Sequence, residues 1–151
     1  MFRRTTTVIL IGGHSLQHAF LGAWLGRFDR LSVVAEADDG KKAMELLHKY
    51  KPALVLMDFD DIGFPSLDIL IRIRTGFPKT RVIIYCSGIN GRRATKLIRA
   101  GAAVFVLKTA RSGEMEDAIR TVLDGGVYLS PDFLMSLGTG TGQRMPRKRA
   151  N

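Results

Sequence analysis

Pro52-Ala53-Leu54-Val55-Leu56-Met57-Asp58-Phe59-Asp60-Asp61 is the stretch on which the reading of the fold turns. Five apolar residues, Ala53 to Met57, run without interruption into a carboxylate. A short unbroken apolar run of this kind predicts a strand buried on both faces, as in a parallel sheet covered by helices. Ligand-binding and reacting groups in such sheets stand at the carboxyl ends of strands. Asp58 stands there. Taken alone, the same acid also reads as a loop residue capping the next turn, so the other strand ends decide between the two.

Outward from that strand, hydrophobic periodicity alternates between two and 3.6 residues. Thr6–Ile11 (TTVILI) reads as a first strand, broken by Gly12-Gly13. Ser15 then caps a helix to about Gly26, with Leu16, Phe20, Ala23 and Trp24 on one stripe and Trp24 in the core. Leu31–Ala37 reads as a second strand, closed by the turn Asp38-Asp39-Gly40. Lys41–Tyr50 reads as a helix with Ala43, Met44, Leu46 and Leu47 inward. After the Asp58 strand come a loop at 61–66, a helix over 67–74, a strand over 81–85 and a helix over 92–100. That last helix turns Ala94, Leu97 and Ile98 inward, and Arg92, Arg93, Lys96 and Arg99 outward. A strand over 103–107 and a helix over 112–123 with an acidic first turn complete the series. Strict alternation predicts an open five-stranded parallel sheet with helices on both faces.

The 151 residues fit one domain, read as residues 1–137, followed by a flexible basic tail or interdomain linker at 138–151. The formal charge is +9, of which the tail supplies +4 through Arg144, Arg147, Lys148 and Arg149. Such a tail reads as a solvated linker or as a contact for nucleic acid or an acidic surface. No apolar run reaches 18 residues, and no secretion signal is visible, so a cytoplasmic protein without membrane contact is expected. The single cysteine, Cys86, excludes an intramolecular disulfide.

The carboxyl ends of the strands bring together Gly12-Gly13, Asp38-Asp39, Asp58, Cys86-Ser87 and Lys108. With these residues and the phrases GHSLQHAFLGAWL, EADDGKKAMELL, IRAGAAVFVLK and GGVYLSPDFL, the chain resembles the receiver domain of bacterial response regulators. The likeness covers about residues 7 to 135 and is specifically to the NarL/LuxR-type subfamily. It implies a flavodoxin-like α/β topology and a phosphoacceptor role for Asp58, with Lys108, Cys86 and Ser87 as site partners. It also assigns Phe105 to the family's aromatic switch position. Two-component signalling, a phosphorelay and transcription regulation through a helix-turn-helix domain are implied for the family. A dimer through the face formed by the helix at 92–100, the strand at 103–107 and the helix at 112–123 is implied as well.

Departures from the family pattern fall on its metal site. Two acids there help hold Mg²⁺; here Gly12 and Gly13 stand in their places and offer no side chain. Asp60 and Asp61 follow the strand and are expected to point elsewhere. Cys86, a weak donor, takes the place of a hydroxyl that bonds the phosphoryl group. Strand alternation aims Ser87 away from the side of Cys86. Mg²⁺ is therefore expected to bind weakly or not at all, and replacing Gly12 and Gly13 with Asp is expected to restore it.

Two glycines before a helix can present amides to an anion, but the full dinucleotide pattern is absent. His14 and His18 lie four apart with no third ligand. No nucleophile–base pair marks an enzyme, and none is expected. The resulting expectation is an atypical pseudo-receiver that signals by protein–protein interaction, with a histidine kinase or a second copy as partner. DNA is then reached only through a separate output domain. The alternative is a conventional receiver phosphorylated on Asp58 by a histidine kinase.

Overall fold

The computed structural model describes residues 6–12, 31–60, 66–88, 91–102, 104–108, 112–126 and 128–129. Six strands form one parallel sheet: β1 Thr6–Ile11, β2 Leu31–Ala37, β3 Leu54–Asp58, β4 Arg81–Cys86, β5 Val104–Leu107 and β6 Tyr128–Leu129. The described helices are α1 Gly40–Tyr50, α2 Ser66–Gly76, α3 Gly91–Arg99 and α4 Ser112–Leu123. The helix expected at 15–26, with Trp24, His14 and His18, lies outside the described residues, as do Gly13, Asp61 and the tail.

The strand order is β2-β1-β3-β4-β5-β6. The chain thus leaves β1 in one direction for β2 and resumes on its other side at β3. Such a reversal opens a crevice at the carboxyl ends of the two central strands. Register fixes who faces whom there: Ile11 lies opposite Met57, and Asp58 lies opposite Tyr85.

β3 is buried at every position, which is why its apolar run shows no alternation. Val55 and Met57 face a core shared with Leu46 and Leu47 of α1, Ile69 and Ile73 of α2, and Leu97 of α3. Leu54 and Leu56 face the opposite core, filled by Met115, Ala118, Ile119 and Val122 of α4. Helices therefore cover both faces. Truncating any one of these large side chains to Ala is worth about 2–5 kcal/mol.

The local signals act as their chemistry requires. Asp39 caps α1, its carboxylate accepting from the Lys42 amide at 2.7 Å. Lys51 ends the helix in the left-handed region at φ 43°, its amide donating to the Leu47 carbonyl. At the opposite end of the sheet, the Thr80 hydroxyl donates to the Pro52 carbonyl at 2.7 Å, tying the start of β4 to that of β3.

Two expectations change. β6 adds a sixth strand, pairing Val104 with Tyr128 and Phe105 with Leu129; two residues are too few to carry a period. Ile98 does not face inward but is 46% exposed, because α3 turns Gly91, Ala94 and Leu97 to the core and Ile98 falls past the edge of that stripe.

Candidate functional site

Backbone hydrogen bonds just past the strand ends gather the site. The Phe59 amide donates to the Tyr85 carbonyl at 3.0 Å, and the Lys108 amide donates to the Cys86 carbonyl at 2.8 Å. These extend the ladder one step beyond β3, β4 and β5. They bring the side chains following all three strands to one rim.

Asp58 is 2% exposed, the one buried charged residue among those described. Its Oδ2 accepts from Lys108 Nζ at 2.9 Å, and its Oδ1 from the Asp60 amide at 2.8 Å. That second bond is an Asx-type turn, in which a carboxylate captures the amide two residues on. It curls the chain back on itself and aims Asp60 into the site. Asp60 Oδ2 lies 3.0 Å from the same ammonium. Its carboxylate also accepts from the Ser87 amide, at 3.0 and 3.1 Å, and from the Ser87 hydroxyl.

One lysine therefore bridges two carboxylates, and a serine holds the second of them. Burial pushes the Asp60 carboxyl up, but the Ser87 hydroxyl and amide and the Lys108 ammonium outweigh it and hold the group below its ordinary range. For Lys108, burial pulls down, while hydrogen bonds to Asp58 and Asp60 prevail and raise it. The ammonium also sits 5.7 Å from the centre of the Tyr85 ring, whose hydroxyl is raised by burial.

The expectation that Asp60 points elsewhere is overturned by the turn that Asp58 itself closes. Ser87 behaves as alternation requires: it leaves the side of Cys86 and reaches the rim. Cys86 packs into the core and is 1% exposed, in the cluster that also holds Phe59 and Phe105. Burial pushes its thiol up to about 12. Phe105, at the position the resemblance gives to an aromatic switch, is fully buried in that cluster.

Gly12 ends β1 beside Asp58, its amide donating to the Ala37 carbonyl at 2.9 Å. Its φ is +132°, a backbone state that L side chains rarely adopt. A Cβ built there would lie 2.5 Å from the Asp58 Cβ and 3.3 Å from its backbone nitrogen. Replacing this glycine with Asp thus does not simply restore a ligand, because the backbone of β1 has closed on β3. The expected rescue of Mg²⁺ affinity by Asp at 12 and 13 therefore meets a steric obstacle at position 12.

A hard divalent cation such as Mg²⁺ asks for an octahedron of oxygens and a net negative site. The two carboxylates within reach, Asp58 and Asp60, are both held by Lys108. Among the described residues no group of three or more His, Cys, Asp or Glu could hold a metal ion. Among the described residues, the donors at this rim do not by themselves match that demand.

The family model for the response regulator receiver domain matches residues 8–120. The chain belongs to the response regulator receiver family. The response regulator GacA of Pseudomonas viridiflava is 31% identical over 130 residues, 86% of this chain and 61% of that protein. The response regulator protein VraR of Staphylococcus epidermidis is 24% identical over a similar span, 62% of its length. The receiver thus spans about three fifths of the curated relatives it matches. Among solved structures, a two-component response regulator of the LuxR family from Aurantimonas sp. SI85-9A1 superimposes with TM-score 0.78 at 27% identity. It covers 89% of this chain and 96% of that one. The signal receiver domain of the NarL regulator from Mycobacterium tuberculosis gives TM-score 0.71 at 25% identity, covering 82% of this chain and 99% of that one. The receiver fold and its NarL/LuxR-type kinship therefore stand as the strand-end residues implied.

Proposed function

We propose that this receiver is atypical: its Asp58 carboxylate is ion-paired from within by Lys108 and does not depend on Mg²⁺, and the domain signals by binding other proteins. The observation that carries this reading is the closure at Gly12, where a Cβ would meet the Asp58 Cβ at 2.5 Å and a metal-ligating side chain has no room. Asp60 adds a second support. It takes up Lys108 and both donors of Ser87, the groups at this rim best suited to receive an oxyanion. A phosphoryl group on Asp58 would then bring about two negative charges to a lysine already shared between two carboxylates.

On this reading the domain is a regulatory module rather than an enzyme and acts in the cytoplasm. No helix among the described residues is long and apolar enough to cross a membrane. Its partners are a histidine kinase or a second copy, met through α3, β5 and α4. DNA is reached through an output domain of the kind that the greater length of its relatives leaves room for.

A conventional receiver phosphorylated on Asp58 by a histidine kinase is the second reading. It is favoured by Asp58 standing at the end of β3 with Lys108 at 2.9 Å. Mixing the chain with acetyl phosphate, with and without Mg²⁺, separates the two by intact mass. The atypical reading expects no phosphate adduct, or one that forms equally without the metal; a Mg²⁺-dependent adduct lost in Asp58→Asn establishes the conventional one.

A further inference from the structure

Between Asp68 and Glu114 the chain has no acidic residue, while ten Lys and Arg occur in that interval. The interval spans most of α2 and all of β4, α3 and β5. Four of the ten lie on the nine residues of α3, and all four, Arg92, Arg93, Lys96 and Arg99, are exposed. Lys96 stands four residues from Arg92 and three from Arg93 and Arg99, spacings at which like charges repel on a helix. The helix therefore carries a self-repulsion that a negatively charged partner would relieve.

These cations do not sit on a flat surface. Between α2 and α3 run two adjoining cavities of about 420 and 310 Å³, which share Leu67 and Lys96 as lining residues. Leu67, Ile71, Leu97 and Ala100 supply an aliphatic floor, and Ile71 is 47% exposed. Arg74, Arg92, Arg93, Lys96 and Arg99 supply the walls, and among the described residues lining the groove none is acidic. Arg74 donates to the Arg99 carbonyl, which ties the two helices together across the groove.

We infer that the groove between α2 and α3 docks an acidic amphipathic segment of another protein, apolar side chains on the floor and carboxylates against the walls. An aliphatic floor under a cationic rim matches the helix-in-groove mode of peptide recognition. A nucleic-acid backbone would use the rim and leave the floor uncovered, and among the described lining residues none is aromatic for a base to stack on. A second copy is the poorer fit. Two of its acidic side chains on α4, Glu116 and Asp117, already lie 3.0 and 3.9 Å from Arg120 of the same helix. The inference is independent of whether Asp58 takes phosphate.

The probe is a fluorescein-labelled synthetic helix of about 14 residues, roughly four turns, with Leu on one stripe and Glu elsewhere. Anisotropy is followed at low salt against the whole chain, with a polyglutamate peptide and a DNA duplex of matched charge as comparators. The Leu/Glu helix is expected to bind at least about tenfold more tightly than polyglutamate, because only it covers the floor. Arg92→Glu with Lys96→Glu should weaken it by about tenfold or more, and Ile71→Ser by several-fold, with circular dichroism unchanged. Equal binding of polyglutamate, tighter binding of the duplex, or indifference to the charge reversal overturns the inference. So does self-association of the chain that Ile71→Ser abolishes, since that would seat a second copy on the groove floor.

Discussion

Replacing Lys108 with Met keeps the length and apolar stem of the side chain and deletes its charge. In the native rim that charge lies 2.9 Å from Asp58 and 3.0 Å from Asp60. At an effective dielectric near 20, each contact is worth about 6 kcal/mol before desolvation, and most of that is offset by the dehydration of the three groups. The remainder is set by the carboxylate left behind. The Asp60 side chain is 31% exposed and can be rehydrated; the Asp58 side chain is 3% exposed and cannot. The expected loss is about 2–4 kcal/mol at neutral pH, the lower part of the range for breaking a buried pair, since the Lys108 side chain is itself 21% exposed. For a domain of this size that lowers Tm by roughly 4–16 °C. Urea unfolding of both proteins at neutral pH measures it, and Asp58→Asn in the Lys108→Met background should recover much of the loss. A deficit below about 1 kcal/mol would refute the account of the rim as an ion-paired triad.

Gly12→Ala should destabilise the chain by about 2–4 kcal/mol in urea unfolding, through backbone strain and collision with Asp58; a change under about 0.5 kcal/mol would mean that β1 yields freely. Asp60, whose carboxyl is held low, contributes stability that is present above the ordinary carboxylate range near 4 and lost as pH falls through its depressed value. Asp60→Asn should thus be less stable than wild type at neutral pH and converge with it in acid. Lys108, held high, contributes stability present below about 10.4 and lost as pH rises through its elevated value, so the stability of wild type should fall at that alkaline limb and that of Lys108→Met should not. The Cys86 thiol, buried and pushed up to about 12, is about 10⁻⁴ thiolate at pH 8. Iodoacetamide should label it at least about a hundredfold more slowly in the native chain than in denaturant, and comparable rates would remove Cys86 from the core.

Much of the fold is legible in the sequence because burial on both faces leaves an unmistakable mark. The apolar runs at 6–11, 31–37, 54–57 and 81–86 are strands for the reason their composition states. Position alone is enough to bring Asp58 and Lys108 together, since both stand where buried parallel strands end. Asp60 is not legible in that way. Strand periodicity ends at Asp58, and the path of the chain beyond it is governed by one side-chain-to-backbone hydrogen bond that no period encodes. The Asp-x-Asp spacing is the one available signal, an acid placed where an Asx turn delivers the second acid to the first. Ile98 fails for a related reason, since on a nine-residue helix the inward stripe is narrow enough that a single position decides exposure.

The close approach of Gly12 to Asp58 also makes the departure from the family hard to undo. Most losses of a ligand on a surface can be reversed by the substitution that caused them. Here an acid introduced at position 12 would meet the Asp58 Cβ before it meets any solvent. On the proposed reading, gaining a ligand there would take a second change that swings the end of β1 out of its positive-φ state. A designer seeking a metal-dependent switch would rebuild the turn after β1 before touching a single carboxylate.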